Sequence, residues 1–87
     1  MDDLYLYETA PDGRKFRACI FESKYVPLGC CRYTIDAYVP EVDWWYTVED
    51  DYGAWLWDEA ETHCTERLSW FASNCQDMPV AKQLVEG

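Results

Sequence analysis

Residues 30–39 read Cys-Cys-Arg-Tyr-Thr-Ile-Asp-Ala-Tyr-Val, and their alternation decides the fold. Cys31, Tyr33, Ile35, Ala37 and Val39 fall on one side of an extended chain, and Arg32, Thr34, Asp36 and Tyr38 on the other. One face is apolar and the other half-polar. That is the pattern of a strand in an antiparallel sheet with one wet side. The adjacent Cys30 and Cys31 point to opposite faces of such a strand.

Upstream, residues 4–9 and 14–21 alternate in the same way around Ala10-Pro11-Asp12-Gly13. Proline presets the first turn position, aspartate bonds its local backbone and glycine accepts positive φ, so the two runs form a β-hairpin. Glu22 to Gly29 is a connection punctuated by Pro27 and Gly29. Downstream, Pro40 to Asp43 is a turn. Trp44 to Glu49, rich in aromatic and β-branched residues, is a fourth strand, with Trp44, Tyr46 and Val48 opposite Trp45 and Thr47.

Asp50 or Asp51 is then a natural helix N-cap. From Ala54 to Ser73 the period becomes helical, because Trp57, Ala60, Cys64, Leu68 and Phe71 form one stripe. Asn74 to Met78 ends this helix. Asp77 caps a short last helix, with Pro79 in its first turn and Val80 and Leu84 packing inward. The expected architecture is one α+β domain spanning residues 1–87. It is a four-stranded, mostly antiparallel sheet with one long helix packed on one face and a short C-terminal helix.

A chain of 87 residues is near the small end of what folds alone, but 49% hydrophobic and 17% aromatic content supplies a core. Charge is unevenly distributed. Residues 33–66 hold ten acids (Asp36, Glu41, Asp43, Glu49, Asp50, Asp51, Asp58, Glu59, Glu61 and Glu66) and no Lys or Arg. The flanks are balanced, so the net charge of −10 resides in this stretch, together with four of the five tryptophans. Such a balance disfavours nucleic-acid backbones and anionic membranes and favours a basic protein partner. Met1-Asp2-Asp3 lacks the basic start and apolar run of a secretory signal, and no apolar stretch approaches the length of a membrane span, so the expected location is the cytoplasm. The five cysteines read as reduced thiols, mostly small buried hydrophobes.

No constellation names a reaction. There is no C-x-x-C or H-x-x-x-H pair, His63 and Cys64 are adjacent on a helix and cannot easily chelate one ion, and the run Glu49-Asp50-Asp51-Tyr52-Gly53 lacks the alternate-residue pattern of a calcium loop. Neither a metal nor a cofactor is expected. His63, the single histidine, has Glu59 and Arg67 as stripe neighbours and reads as a surface bridge between charged side chains, while Cys64 points into the core. Carboxylate catalysis requires a cleft that one sheet-and-helix layer hardly provides. A thiol enzyme using Cys30 or Cys31 is a rival reading, tested by rapid alkylation.

What remains is the acidic stretch, read either as a solvated face or as an electrostatic binding surface. In the second reading the carboxylates present outward as a single patch. Asp50, Asp51, Asp58, Glu59, Glu61 and Glu66 supply charge, and Trp55 and Trp70, off the core stripe, are apolar anchors. Tyr5, Tyr7, Tyr38 and Trp45 also face outward, which makes a homodimer an open possibility.

In small size, single domain, strong acidity without a catalytic motif and exposed aromatics, the chain resembles small phage-encoded inhibitors of the anti-CRISPR, antirestriction and DNA-mimic class. The resemblance covers the character of the whole chain and transfers no individual residue. Balanced flanks and high aromatic content depart from the most extreme DNA mimics. The resemblance implies a non-enzymatic inhibitor that blocks a basic nucleic-acid-binding site on a host enzyme or defence complex, in the host cytoplasm. The alternative is a small homo-oligomeric assembly or adaptor module with an aromatic interface.

Overall fold

The structure, a computed structural model, describes residues 3–75. Four strands run in chain order across one antiparallel sheet: β1 (Leu4–Thr9), β2 (Lys15–Phe21), β3 (Cys30–Val39) and β4 (Trp44–Leu56). Among these residues a single helix, α1 (Trp57–Asn74), packs on one face. The α+β expectation holds at this level, and the short C-terminal helix lies outside the described residues.

The β1–β2 turn uses its residues as their chemistry dictates. Gly13 takes φ 93°, Asp12 Oδ1 accepts from the Arg14 amide at 3.0 Å, and the Ala10 amide donates to the Arg14 carbonyl at 2.8 Å. The alternation of β3 also holds. Cys31, Tyr33, Ile35, Ala37 and Val39 are buried, and they join Phe16, Ala18 and Ile20 of β2 on the helix side. From α1, Ala60, Cys64, Leu68, Phe71 and Ala72 close the core, with Phe71 stacked on Phe16 at 5.9 Å between ring centroids. Aromatic burial of this kind lets a short chain remove much apolar area from water.

Two boundaries differ from expectation. β4 runs to Leu56 rather than stopping at Glu49, and α1 starts at Trp57 rather than near Ala54. Asp50 and Asp51 therefore cap no helix. They lie in β4, opposite Thr34 and Tyr33, and the helix enters through Leu56 without a side-chain cap. The long β3 is what β4 pairs with, and it does so with two irregularities in register, between Cys31 and Tyr33 and between Ile35 and Asp36. Extra residues on β4 at these places break the period of two that marks a strand in sequence.

Candidate functional site

The ten acids of residues 33–66 do not form one patch. Five are engaged by neighbours in the sheet and on α1. Asp36, only 5% exposed, accepts from Arg17 Nε at 2.9 Å and from Thr47 at 3.0 Å. Asp50 pairs with Arg32 at 3.1 Å on the helix-free face. Asp43 accepts from the Tyr38 hydroxyl. Asp51 turns to the other side of the sheet, where its Oδ1 accepts from the Gly53 amide at 2.6 Å and from Trp55 Nε1 at 3.1 Å. Glu49 accepts from Arg67 and, at 2.8 Å, from the Tyr33 hydroxyl.

Glu49 belongs to a cluster that sequence reading missed. The Tyr33 ring is 2% exposed, and its oxygen also lies 3.1 Å from His63 Nε2. Since the hydroxyl gives its one proton to Glu49, the Tyr33 oxygen accepts from Nε2–H, which assigns that proton. Trp55 stacks on His63 at 4.5 Å and meets Tyr33 edge-on at 5.9 Å. His63 is thus not a surface bridge between Glu59 and Arg67. It is the middle of a packed stack that pins α1 to β4. Burial works against ionisation of Glu49, but hydrogen bonds from Arg67 and Tyr33 and the charge of Arg67 outweigh it, and its carboxyl sits below the ordinary value. Burial first, then the bond to Glu49 and its charge, raise the Tyr33 phenol well above its own ordinary value. Burial pushes the neighbouring Cys64 thiol up to about 12, so it is a neutral thiol at physiological pH.

Of the ten, the acids with neither an ion pair nor a hydrogen bond from another element of the fold among the described residues are Glu41 in the turn and Asp58, Glu59, Glu61 and Glu66 on α1. Asp58, Glu59, Thr62, His63 and Glu66 line one shallow depression on the outer side of the helix. Consecutive residues are about 100° apart around a helix, so Glu61 stands about 160° from Glu59 and about 60° from Asp58, outside the depression on its Asp58 side. Trp70 is 49% exposed beside this surface, fixed by an edge contact with Phe71 at 5.1 Å and by the Arg67 guanidinium 4.9 Å from its ring centre. Trp55, expected as a second anchor, is half-buried on β4 with its indole N–H committed to Asp51. The candidate set therefore divides. Asp58, Glu59, Glu66 and Trp70 share one outward surface, Glu61 lies outside the depression, and Asp50, Asp51 and Trp55 are occupied within the fold.

The helix-free face of the sheet is aromatic. Arg17 lies between Trp45 and Tyr5, with its guanidinium carbon 4.6 Å and 5.3 Å from the ring centres. Tyr38 and Tyr7 approach Trp45 at 5.3 Å and 6.1 Å. Arg32 sits 4.5 Å from Tyr52 and 5.8 Å from Phe21. These rings explain how Asp36 is buried on a face that no helix covers.

Among the described residues, no cluster of three or more His, Cys, Asp or Glu side chains is placed to hold a metal ion. Nor is any helix among them long and apolar enough to cross a membrane. Cys31 is buried and Cys30 half-buried, as opposite faces of β3 require. Comparison of the chain with protein-family models, curated proteins and solved structures returned no match.

Proposed function

We propose that this protein is a non-enzymatic inhibitor that binds a basic, nucleic-acid-binding site on a host enzyme or defence complex, such as a CRISPR-Cas complex, and blocks it by occupancy. What supports the reading is the counter-ion balance of α1: Asp58, Glu59 and Glu66 share an outward surface, and the one helix cation, Arg67, is committed to Glu49. Asp58 and Glu59 open the helix, and Glu66 stands two turns further along it on the same surface. Trp70 beside them is an amphipathic anchor of the kind that carries interface energy. Trp55, stacked on His63 with its indole N–H held by Asp51, supports this surface from beside it, while Asp50 is paired with Arg32 on the helix-free face. The test is capture from host lysate at low salt, followed by competition with a duplex oligonucleotide. The reading expects a captured protein that salt and duplex both release, and that the triple reversal D58K/E59K/E66K no longer captures. Capture that survives the reversal overturns it.

A second reading, an assembly or adaptor module, draws on the helix-free face, where Tyr5, Tyr7 and Tyr52 are all exposed around the two arginines. It expects association that is insensitive both to salt and to the helix reversals.

A further inference from the structure

The two edges of the sheet are built differently. β4 carries two register irregularities and the acids Glu49, Asp50 and Asp51, devices that blunt an edge against pairing with another chain. β1 has none of these. Its register with β2 is unbroken from Leu4↔Ile20 to Thr9↔Lys15, and its sequence, Leu-Tyr-Leu-Tyr-Glu-Thr, contains no Pro, Lys, Arg or Gly and a single acid, Glu8. Leu4 and Leu6 pack against the core yet remain only partly buried, so among the described residues the apolar layer under α1 runs out to this edge unfinished.

The direction of the β1 backbone groups follows from one hydrogen bond. The Ala10 amide donates to the Arg14 carbonyl, toward β2. In an antiparallel ladder the inward and outward residues alternate, so Glu8, Leu6 and Leu4 also turn their amides and carbonyls toward β2. Tyr5, Tyr7 and Thr9 turn theirs outward, away from the sheet. We infer that this protein associates with a second copy of itself by antiparallel pairing of β1 with β1, making one continuous eight-stranded sheet across a two-fold axis.

Parity supports the self-pairing. Opposed residues in an antiparallel pair share a face, so a two-fold axis at Leu6 sets Leu6 against Leu6 and Tyr5 against Tyr7 of the second copy. The outward groups of Tyr5 and Tyr7 then meet as a hydrogen-bonded pair, and the two leucines meet in the closer, non-bonded pair beneath the helices. Both helices lie on the same face of the joined sheet, and the two aromatic faces become one surface. The unpaired acids of α1 flank the depression beside His63, on the β4 side of the helix where His63 and Arg67 reach Tyr33 and Glu49, so Asp58, Glu59 and Glu66 stay open to another partner. The inference goes beyond the inhibitor reading and stands or falls separately from it.

The test is sedimentation velocity over a roughly hundredfold range of concentration, since a dimer must follow mass action, combined with amide hydrogen exchange. The wild-type protein is expected to form a dimer with slowed exchange at Tyr5, Tyr7 and Thr9. Proline is tolerated on an edge strand where the amide it removes points outward. Y7P and T9P are therefore expected to keep the native circular dichroism spectrum and to sediment as monomers. Y7S, which keeps the amide but removes the ring, is expected to retain the dimer with weaker affinity. A wild-type monomer with fast exchange at these three amides overturns the inference, and so does a dimer unchanged in folded Y7P and T9P. Should both proline variants unfold, the wild-type exchange pattern decides by itself.

Discussion

Glu49 carries more of this fold than its place on an edge strand suggests. It is the acceptor for both Arg67 and Tyr33, and so ties β4 to α1 and to β3 at once. Replacing it by Gln leaves Arg67 half-buried beside a neutral group and costs about 1.5–3 kcal/mol, the usual worth of hydrogen bonds to charged partners. A urea titration of E49Q checks this. Because the folded-state pKa of Glu49 is depressed, its stabilisation is full above the ordinary value of 4.5 and is lost as pH falls through the lowered folded value. The acid limb of thermal stability is therefore shallower in E49Q than in wild type. Tyr33 acts at the other end. Its phenol titrates above the ordinary value of 10.0, so its contribution is intact at neutral pH and lost as pH rises beyond that value, where the unfolded chain ionises first. Cys64, neutral and fully buried, is expected to resist alkylation in the native protein and to react at once in denaturant, as mass mapping of the modified thiols will show.

At the scale of elements, α1 is held by the core on one side and by the Tyr33–His63–Trp55 stack on the other. F71A removes the ring stacked on Phe16 and costs about 3–5 kcal/mol, measurable as a lower denaturant midpoint. The irregular end of β4 has its own lever. A Cβ on Gly53 would come within 2.9 Å of Asp51 Oδ1, so G53A is expected to displace that carboxylate and release the Trp55 indole, read as a shift of the Trp55 Nε1–H resonance. The same segment shows what the sequence concealed. The hairpin and β3 were legible because turn chemistry and alternation are local. The end of β4 was not, because Asp50-Asp51 followed by Ala54-Trp55 resembles a cap and a helix start, and tertiary pairing with Cys30, Cys31 and Tyr33 overrode that preference. The helical stripe from Ala60 to Phe71 was readable, and with it the exposure of Asp58, Glu61 and Glu66, but not that Glu59 rather than Glu61 shares one surface with the other two. The ion pairs Arg17–Asp36 and Arg32–Asp50 were hidden, since they depend on which residues of separate strands stand opposite or near one another, and periodicity gives faces without register.

Over the whole molecule, the fold turns a diffuse acidic stretch into a directional one. Arginines of the sheet and of α1 neutralise Asp36, Glu49 and Asp50, and among the described residues Asp58, Glu59 and Glu66 are left as a group of uncompensated carboxylates on one helix surface. Such a surface speeds encounter with a basic partner and weakens as salt rises. The most direct measurement is the affinity of the captured partner for three forms of the protein: wild type, D58K/E59K/E66K and E61K, each across a salt series. The account predicts a steep loss of wild-type affinity with salt, loss of binding in the triple variant, and a much smaller effect of E61K outside the depression, with thermal stability nearly unchanged in all three. Equal affinity of wild type and the triple variant, with no salt dependence, would contradict it.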